Sequence, residues 1–390
     1  MDHGTVIRLT RTLADAFGDA AGLRCAAAPG RVNLIGEHTD YNGGFVLPMG
    51  VDREVRLLFR PSDSGPVRIW SDNYDEWDEF DPDRIERNDG QPWANYVRGV
   101  ASVLQGEGIE VRPIEGLLCG DVPIGAGLSS SAAIEVAVAL ALCDAAGHRL
   151  AQRDLALVCQ RAENEFVGVA CGIMDQFTSV HASKDHALLL DCRSLDYEPV
   201  PLDGGAVRVV VANTMVRHEL GSSAYNERRA QCERSAELLG EHIDGVQQLR
   251  DVTPQSLARH ADVLSDLLLR RARHVVGEIH RTLTGAEALK AADYDAFGGL
   301  MYESHESLRR DYEVSCDELD LMVDLACSQP GILGARMVGA GFGGCTVNLV
   351  RADRADAFGA GLRAAYLDRT GIEPEVYAFV PAGGATVGKC

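Results

Sequence analysis

The amino-acid sequence predicts a mixed α+β fold divided into two lobes. A chain of 390 residues is longer than one hydrophobic core usually supports. Segments that alternate apolar and polar residues, as strands do, recur between segments with helical periodicity. The stretch 199–205, which contains proline and glycine, separates two such series. We therefore place a boundary near Gly204, with residues 1–204 in an N-terminal lobe and residues 205–390 in a C-terminal lobe.

In the N-terminal lobe, periodicity and turn residues define the elements in order. The helix at 132–146 is rich in alanine and stops at Gly147, as helices often stop at glycine. The acidic stretch 72–83 is typical of a solvated loop. Helices are predicted at 7–17, 93–105, 132–146 and 154–169, and strands at 24–28, 51–59, 67–71, 114–121 and 188–191.

The C-terminal lobe is predicted to contain more helix than strand. Two strands enclose a glycine-rich turn within residues 336–350, and a helix and a last strand follow them. Helices are predicted at 225–239, 265–283, 293–312, 317–327 and 353–370, and further strands at 207–213 and 375–380.

Charge and composition exclude several classes of function. The 37 Lys and Arg against 58 Asp and Glu give a net charge of -21, which repels nucleic acids and anionic membranes. The eleven cysteines are odd in number and form no CxxC pair, as expected for reduced thiols. The start lacks the pattern of a signal peptide, and the most apolar run, 132–146, is too short to cross a bilayer. We expect a cytoplasmic protein with no nucleic-acid or membrane partner.

Two glycine-rich segments match nucleotide-binding patterns only superficially. Residues 339–344 fit GxGxxG, but the β-branched run 345–350 follows them where a dinucleotide fold needs a helix. Residues 383–389 fit the spacing GxxxxGK, but Cys390 replaces the serine or threonine that holds Mg²⁺, and no helix follows. We expect neither segment to bind a nucleotide.

A third segment, PIGAGLSSSAA at 123–133, meets the physical requirements of a phosphate site. A strand precedes it, and its glycines allow the backbone to approach an anion. The hydroxyls of Ser129, Ser130 and Ser131 follow, and a helix then begins, which directs free N–H groups at the loop. The segment predicts a phosphate cradle, although a serine-capped helix after a turn would have the same local features.

A polar loop at 30–44, GRVNLIGEHTDYNGG, carries side chains that suit a polyol. Sugar hydroxyls are neutral and directional, so they are recognised by convergent carboxylates, imidazoles and amides. His38 and Asp40 could instead begin a metal site, but no second group of His or Cys supports that alternative. A solvated loop is the other alternative.

The segment CGIMDQF at 171–177 places Asp175 between apolar residues after a glycine. Such a residue is often only a helix cap. If it has a chemical role, a carboxylate there can accept a proton from a substrate hydroxyl. Phosphoryl transfer mainly requires positioning and charge stabilisation, which Arg31 could supply.

In these segments, and in GARMVGAGFGGC at 334–345, the chain resembles the galacto-, homoserine, mevalonate and phosphomevalonate kinase superfamily, and within it the galactokinase family. The resemblance extends from residue 28 to residue 388. It implies an N-terminal lobe like a ribosomal-protein domain, a ferredoxin-like C-terminal lobe and an active site between them. Val338 departs from the pattern, because many relatives carry threonine there.

The resemblance also implies a role for each matching residue. Asp175 would be the catalytic base or would orient the acceptor, and Arg31 would stabilise the transferring phosphoryl group. Trp93 would lie near the adenine of ATP, and Ser131 and Glu163 would hold Mg²⁺. The sugar would contact Glu37, His38, Asp40, Gly172 and Tyr225, and the ATP phosphates would contact Gly125, Ala126, Gly127, Leu128, Ser129, Ser130 and Ser131.

The activity implied by the resemblance is transfer of the γ-phosphoryl group of ATP to the C1 hydroxyl of galactose, by a monomeric enzyme. One alternative is a kinase of the same fold for another acceptor, such as N-acetylgalactosamine. Another is a non-catalytic sugar sensor, which would be expected to have lost part of residues 129–133 or Asp175, and all of these are present.

Overall fold

Three β-sheets form the framework of the described part of the chain. The structure is a computed structural model that describes residues 22–169, 171–217 and 221–389, and the helix predicted at 7–17 lies outside them. The largest sheet has the order β13-β1-β3-β6-β4-β5, a second has the order β10-β11-β9-β12, and a third has the order β2-β7-β8. The strands are β1 Arg24–Asn33, β2 Phe45–Val46, β3 Pro48–Pro61, β4 Val67–Ser71, β5 Glu76–Phe80, β6 Ile114–Gly120, β7 His186–Asp191, β8 Tyr197–Pro201, β9 Val207–Arg217, β10 Ile332–Val338, β11 Gly343–Arg351, β12 Glu375–Phe379 and β13 Thr386–Lys389.

Helices cover these sheets and confirm the predicted α+β class. Two of the predicted helices end in a π-helical turn, at Ala162–Val167 and at Leu308–Tyr312. The α-helices of the described residues are α1 Ala94–Gly106, α2 Ser130–Ala145, α3 Gln152–Arg161, α4 Met174–His181, α5 Gly221–Gly240, α6 Pro254–Arg259, α7 Asp266–Lys290, α8 Tyr294–Ser307, α9 Asp317–Cys327 and α10 Ala355–Thr370.

Helix α2 occupies the centre of the first lobe. Its own alanine, valine and leucine side chains cover all of its faces. Most of its residues are buried, as expected for a helix without a polar face. It packs against β1 and β3 on one side and against α1, α3 and α4 on the others. Its N-terminus follows β6 and the loop 121–129, so the buried packing of α2 fixes the position of that loop.

The second sheet is antiparallel throughout, with α8, α9 and α10 packed against its strands. This is the architecture expected for the ferredoxin-like lobe. The turn between β10 and β11 contains Gly339 and Gly341, and a strand follows it, so the dinucleotide pattern at 339–344 is part of a hairpin.

The end of the chain crosses the predicted division into lobes. Strand β13 pairs with β1 in the first sheet, from Arg24 opposite Lys389 to Ala27 opposite Thr386. The GxxxxGK spacing at 383–389 therefore ends in an edge strand of the first sheet and does not precede a helix among the described residues. The boundary near Gly204, which lies between β8 and β9, stays a prediction.

Two segments predicted as loops are partly strand, so these predictions are wrong in part. Strand β1 continues to Asn33, beyond the predicted end at residue 28, because the polar side chains that follow are buried and find partners. The acidic stretch 72–83 contains β5, which pairs with β4, and not only a solvated loop. Asp78 on β5 is buried against Arg98, with an Nη2–Oδ1 distance of 2.6 Å. Charge composition alone did not reveal this pairing.

Candidate active site

An open cavity lies where the two lobes meet, with about 500 Å³ of empty space that includes some open solvent. The end of β1 and the polar loop form one wall, and the start of α4 forms another. Gly339 and Ala340, in the turn between β10 and β11, close the cavity from the second lobe. Seven of the predicted site residues line it, namely Arg31, Glu37, His38, Asp40, Gly172, Asp175 and Tyr225.

Arg31 and Asp175 form the ion pair at the base of this cavity. The Arg31 Nε atom donates to Asp175 Oδ1 over 2.8 Å, and its Nη2 atom lies 2.6 Å from the same oxygen. The Ser129 hydroxyl donates to the other oxygen, Asp175 Oδ2. Arg31 Nη1 also donates to the Gly127 carbonyl over 2.7 Å. One arginine therefore joins the carboxylate to the predicted phosphate cradle.

The cradle has the irregular backbone expected of an anion-binding loop. Gly125 and Gly127 have φ values of 80° and 68°, in the region that glycine tolerates at little cost. Ser129 adopts a φ of 53° just before α2 begins, an uncommon conformation for a residue with a Cβ atom. The hydrogen bond from its hydroxyl to Asp175 helps to compensate for this strain. The unsatisfied N–H groups of the α2 N-terminus point toward the loop.

Glu37 is held from the second lobe. Its Oε2 atom lies 2.7 Å from Arg336 Nη1 and accepts a weaker bond from Asn33 Nδ2 over 3.3 Å. Glu37 is 5% exposed and still lines the cavity. A buried carboxylate with one paired oxygen can direct the other oxygen at a ligand.

Asp40 and Gly172 are in direct contact. A Cβ atom at position 172 would lie 1.9 Å from Asp40 Oδ2, so no side chain fits there while Asp40 keeps its place. Burial raises the pKa of Asp40 to about 6, and the neighbouring charges of Asp175 and Glu37 act in the same direction. This carboxylate has no neutralising cation among the described residues, so hydrogen-bond donors from a ligand would stabilise its ionised form.

An aromatic cluster surrounds His38. Its Nδ1 atom lies 2.8 Å from the Tyr41 hydroxyl, which lies 2.7 Å from the Tyr312 hydroxyl. The Tyr225 ring packs at centroid distances of 5.7 Å from His38 and 5.3 Å from Tyr41. Burial lowers the pKa of His38 to about 3, and His274 adds to this effect. The imidazole is therefore neutral at physiological pH and can act as a hydrogen-bonding group.

Glu163 and Ser131, the predicted metal ligands, lie beside one another behind Asp175. Burial raises the pKa of Glu163, the charge of Asp175 raises it further, and a hydrogen bond from Ser131 opposes them. Gln176 Nε2 donates to Glu163 Oε2 over 2.6 Å and to Glu135 Oε2 over 2.9 Å. No Lys or Arg of the described chain pairs with Glu163, so a cation would relieve its buried charge.

The part of the chain that the structure describes contains no metal site made only of protein ligands. Within residues 22–169, 171–217 and 221–389, no group of three or more His, Cys, Asp or Glu could hold a metal ion. The alternative in which His38 and Asp40 begin such a site is therefore unsupported. Ser131 and Glu163 fit a cation only if a bound anion, such as the phosphates of a nucleotide, supplies further oxygen ligands.

Trp93 lies close to a second cavity without lining it. Its indole Nε1 donates to Glu76 over 2.8 Å, and its ring stacks on Tyr74 at a centroid distance of 5.8 Å and an interplanar angle of 6°. Tyr74, Ile124 and Ser130 line this cavity, which lies beside the start of α2. Tyr74 therefore presents its ring to the space, and Trp93 supports it from behind.

Several residues that shape the site have no role predicted from the sequence. Tyr74 was part of the acidic stretch, and Gln176 stood next to Asp175 without a proposed partner. Arg336 had a detectable signal, because an arginine within the apolar β10 pattern must find partners when it is buried. Tyr312 and Glu278 come from distant helical segments, where no local pattern could place them in the site.

The arrangement is suited to transferring an anionic group to a neutral hydroxyl. A glycine-rich anion cradle, an arginine and a carboxylate adjoin a cavity lined by further carboxylates and a neutral imidazole. Fold and site together define a small-molecule kinase of the galacto-, homoserine, mevalonate and phosphomevalonate type.

Comparison with protein-family models supports this class. The galactokinase galactose-binding signature matches residues 12–61. The N-terminal domain model of the same kinase superfamily matches residues 95–183, and the C-terminal model matches residues 286–368.

Comparison with individual proteins identifies the family within this superfamily. The chain is 50% identical over 348 residues to the galactokinase of Chloroflexus aggregans, covering 89% of each chain. It is 47% identical over 358 residues to the human galactokinase, covering 88% of each chain. The crystal structure of Lactococcus lactis galactokinase complexed with galactose superposes with a TM-score of 0.93 at 37% identity, covering 98% of this chain and 99% of that one. The chain belongs to the galactokinase family and is a kinase.

Proposed function

We propose that this enzyme transfers the γ-phosphoryl group of ATP to the C1 hydroxyl of D-galactose, giving galactose 1-phosphate and ADP. The observation that carries the proposal is the contact of the phosphate cradle, Arg31 and Asp175 at the base of a cavity lined by Glu37, His38 and Asp40. The Lactococcus lactis relative, complexed with galactose, supports the choice of sugar.

In the proposed reaction, Asp175 contacts the acceptor hydroxyl. When galactose binds, its C1 hydroxyl takes the place of the Ser129 hydroxyl at Asp175 Oδ2. The carboxylate then orients this hydroxyl and receives its proton as the C1 oxygen bonds to the γ-phosphorus. The bond from that phosphorus to the bridging oxygen breaks, and ADP leaves. Arg31, already bonded to Asp175 Oδ1 and to the cradle, stabilises negative charge on the transferring group.

Sugar selectivity is proposed to come from the wall of the cavity that carries Glu37, His38 and Asp40, which we call the polar wall. The carboxylates of Glu37 and Asp40, with the neutral His38, accept hydrogen bonds from hydroxyls, and Tyr225 covers the ring. Gly172 leaves room for Asp40 beside the sugar. A sugar of the wrong stereochemistry would leave a buried carboxylate without a donor, which discriminates strongly.

ATP is proposed to lie along the cradle. The backbone of residues 125–131 would wrap its phosphates, and its adenine would enter the cavity beside Tyr74, with Trp93 behind that ring. Ser131 and Glu163 would hold Mg²⁺, which would supply positive charge to neutralise the phosphates. The raised pKa of the buried Glu163 is consistent with a place for a cation.

Substitution Glu163→Gln should raise the Mg²⁺ concentration required for half-maximal activity by roughly 10- to 100-fold, because it removes a charged ligand but keeps the shape. Titration of MgCl₂ at fixed ATP and galactose measures the change. Glu165→Gln, on the exposed part of the same segment, is the matched control. A normal Mg²⁺ requirement in the Glu163 variant, or full activity in EDTA, would exclude this metal site.

An assay of ATP consumption over a panel of monosaccharides tests the proposed substrate. We expect kcat/KM for D-galactose to exceed that for glucose, mannose and N-acetylgalactosamine by about 10²-fold or more. Equal values for N-acetylgalactosamine would support the alternative acceptor. Galactose binding without ATP consumption would support the sensor.

The cellular setting and assembly are also proposals. No helix among the described residues has the length and apolar character needed to cross a bilayer. The net charge of -21 disfavours nucleic-acid partners. We propose a cytoplasmic monomer whose partners are the sugar and ATP.

A further inference from the structure

Arg336 is a fully buried arginine that no part of the proposed mechanism uses. It lies on β10 in the second lobe, and its side chain is 0% exposed. An arginine in such a place needs partners for its charge and its donors. Apart from the carbonyl of its neighbour Met337, the acceptors found lie in or next to the polar wall of the sugar cavity.

The guanidinium holds the end of β1 to the second lobe. Its Nε atom donates to the Leu34 carbonyl over 2.7 Å, and Nη2 donates to the Asn33 carbonyl over 2.6 Å. Nη1 donates to Glu37 Oε2 over 2.7 Å and to the Met337 carbonyl over 2.7 Å. The planar group therefore fixes both the backbone before Glu37 and one oxygen of its carboxylate.

Helix α7 fixes the backbone of Glu37 from another side. Glu278 Oε1 accepts hydrogen bonds from the Gly36 N–H over 3.0 Å and the Glu37 N–H over 3.2 Å. His274 Nε2 lies 3.1 Å from the Glu37 carbonyl. Since backbone and Oε2 are both held, the remaining atom Oε1 has a single position, and it has no hydrogen-bond partner among the described residues.

We propose that Arg336 is a positioning residue for sugar recognition: it pairs with Glu37 Oε2 so that Oε1 alone meets one particular hydroxyl of the sugar. The inference rests on the proposed role of Glu37 as a sugar ligand. It assigns discrimination at one hydroxyl to a residue that does not line the cavity.

Lysine cannot reproduce this function. Its single ammonium group could pair with Glu37, but it cannot also span the carbonyls of Asn33 and Leu34 in the plane of a guanidinium. Arg336→Lys should therefore keep the charge near Glu37 and lose the fixed direction of its carboxylate.

Calorimetric titration with galactose and each of its 2-, 3-, 4- and 6-deoxy analogues separates this role from a merely structural one. Glu37→Gln should reduce the discrimination against one deoxy analogue. Arg336→Lys should reduce the ratio of galactose affinity to the affinity for that same analogue by roughly 10-fold or more. The ratios for the other analogues, and the ATP affinity, should stay unchanged. Arg351→Lys, on the exposed end of the neighbouring strand β11, is the matched control.

A double substitution keeps the test decisive if Arg336→Lys does not fold. Glu37→Gln/Arg336→Met removes both charges, and buried ion pairs are often replaceable together. The affinity ratios of this double variant over the deoxy analogues should match those of Glu37→Gln alone. Reduced discrimination at a different hydroxyl would overturn the proposal.

Two further results would contradict the proposal in distinguishable ways. If Arg336→Lys keeps wild-type ratios, or loses affinity equally for all analogues, while Glu37→Gln affects one, Arg336 has no positioning role. If Glu37→Gln changes no ratio, Glu37 does not contact the sugar, and the proposed sugar site itself is wrong.

Discussion

Substitution Asp175→Asn is expected to lower kcat by roughly 10²-fold or more. The amide keeps the shape of the carboxylate but cannot receive the proton of the acceptor hydroxyl. It also removes the negative charge that Arg31 faces across 2.8 Å, so the arginine loses its fixed orientation toward the phosphate cradle. Affinities for ATP and galactose should change much less than kcat.

Steady-state kinetics with both substrates, combined with calorimetric binding, measures this split. Asp353→Asn, at an exposed position before α10, is the control for loss of a carboxylate elsewhere. Near-normal turnover in the Asp175 variant would remove this residue from the mechanism, whatever the fold.

Substitution Asp40→Ala is expected to weaken galactose binding by about 10²-fold. Asp40 is one of the carboxylates that line the cavity, and its loss leaves sugar hydroxyls without an acceptor. ATP affinity should stay unchanged, because the cradle is formed by other residues. Calorimetric titration of each ligand tests this separation, and wild-type galactose affinity in Asp40→Ala would show that the sugar lies elsewhere.

The pH dependence of galactose affinity provides a second test of Asp40. Because burial raises its pKa to about 6, the carboxylate is ionised above that pH and protonated below it. The ionised form accepts stronger hydrogen bonds from the sugar. Affinity should therefore be highest above pH 6 and fall as the pH decreases through 6, and the isosteric variant Asp40→Asn should lose that step. A step that persists in Asp40→Asn would belong to another group.

The predictable parts of the fold were those with strong local patterns. Helix α9 and strand β4 begin and end where the periodicity places them, because each presents one apolar face to a core. Strand β1 was underestimated because Arg31 and Asn33 are polar. The Arg31 side chain pairs with the distant Asp175, and the Asn33 amide donates to Glu37. Burial of Arg31 depends on a partner 144 residues away, and such burial leaves no local signal.

The candidate site shows the same division. Motif segments brought Arg31, Asp175 and the cradle to attention, and the structure places them in contact. Other site residues are oriented by partners that depend on how the lobes and helices pack. Examples are Arg336, which pairs with Glu37, and Gln176, which donates to Glu163. Spacing along the chain does not contain that information, so the pairing of these residues emerged only from the three-dimensional arrangement.

The most direct test of the account is the identity of the product formed from ATP and D-galactose by the wild-type enzyme with Mg²⁺. Proton and phosphorus NMR locate the new phosphate through its coupling to sugar protons. We expect coupling to the anomeric proton, which would place the phosphate on the C1 oxygen next to Asp175. Phosphate on C6, or release of inorganic phosphate without a sugar phosphate, would contradict it.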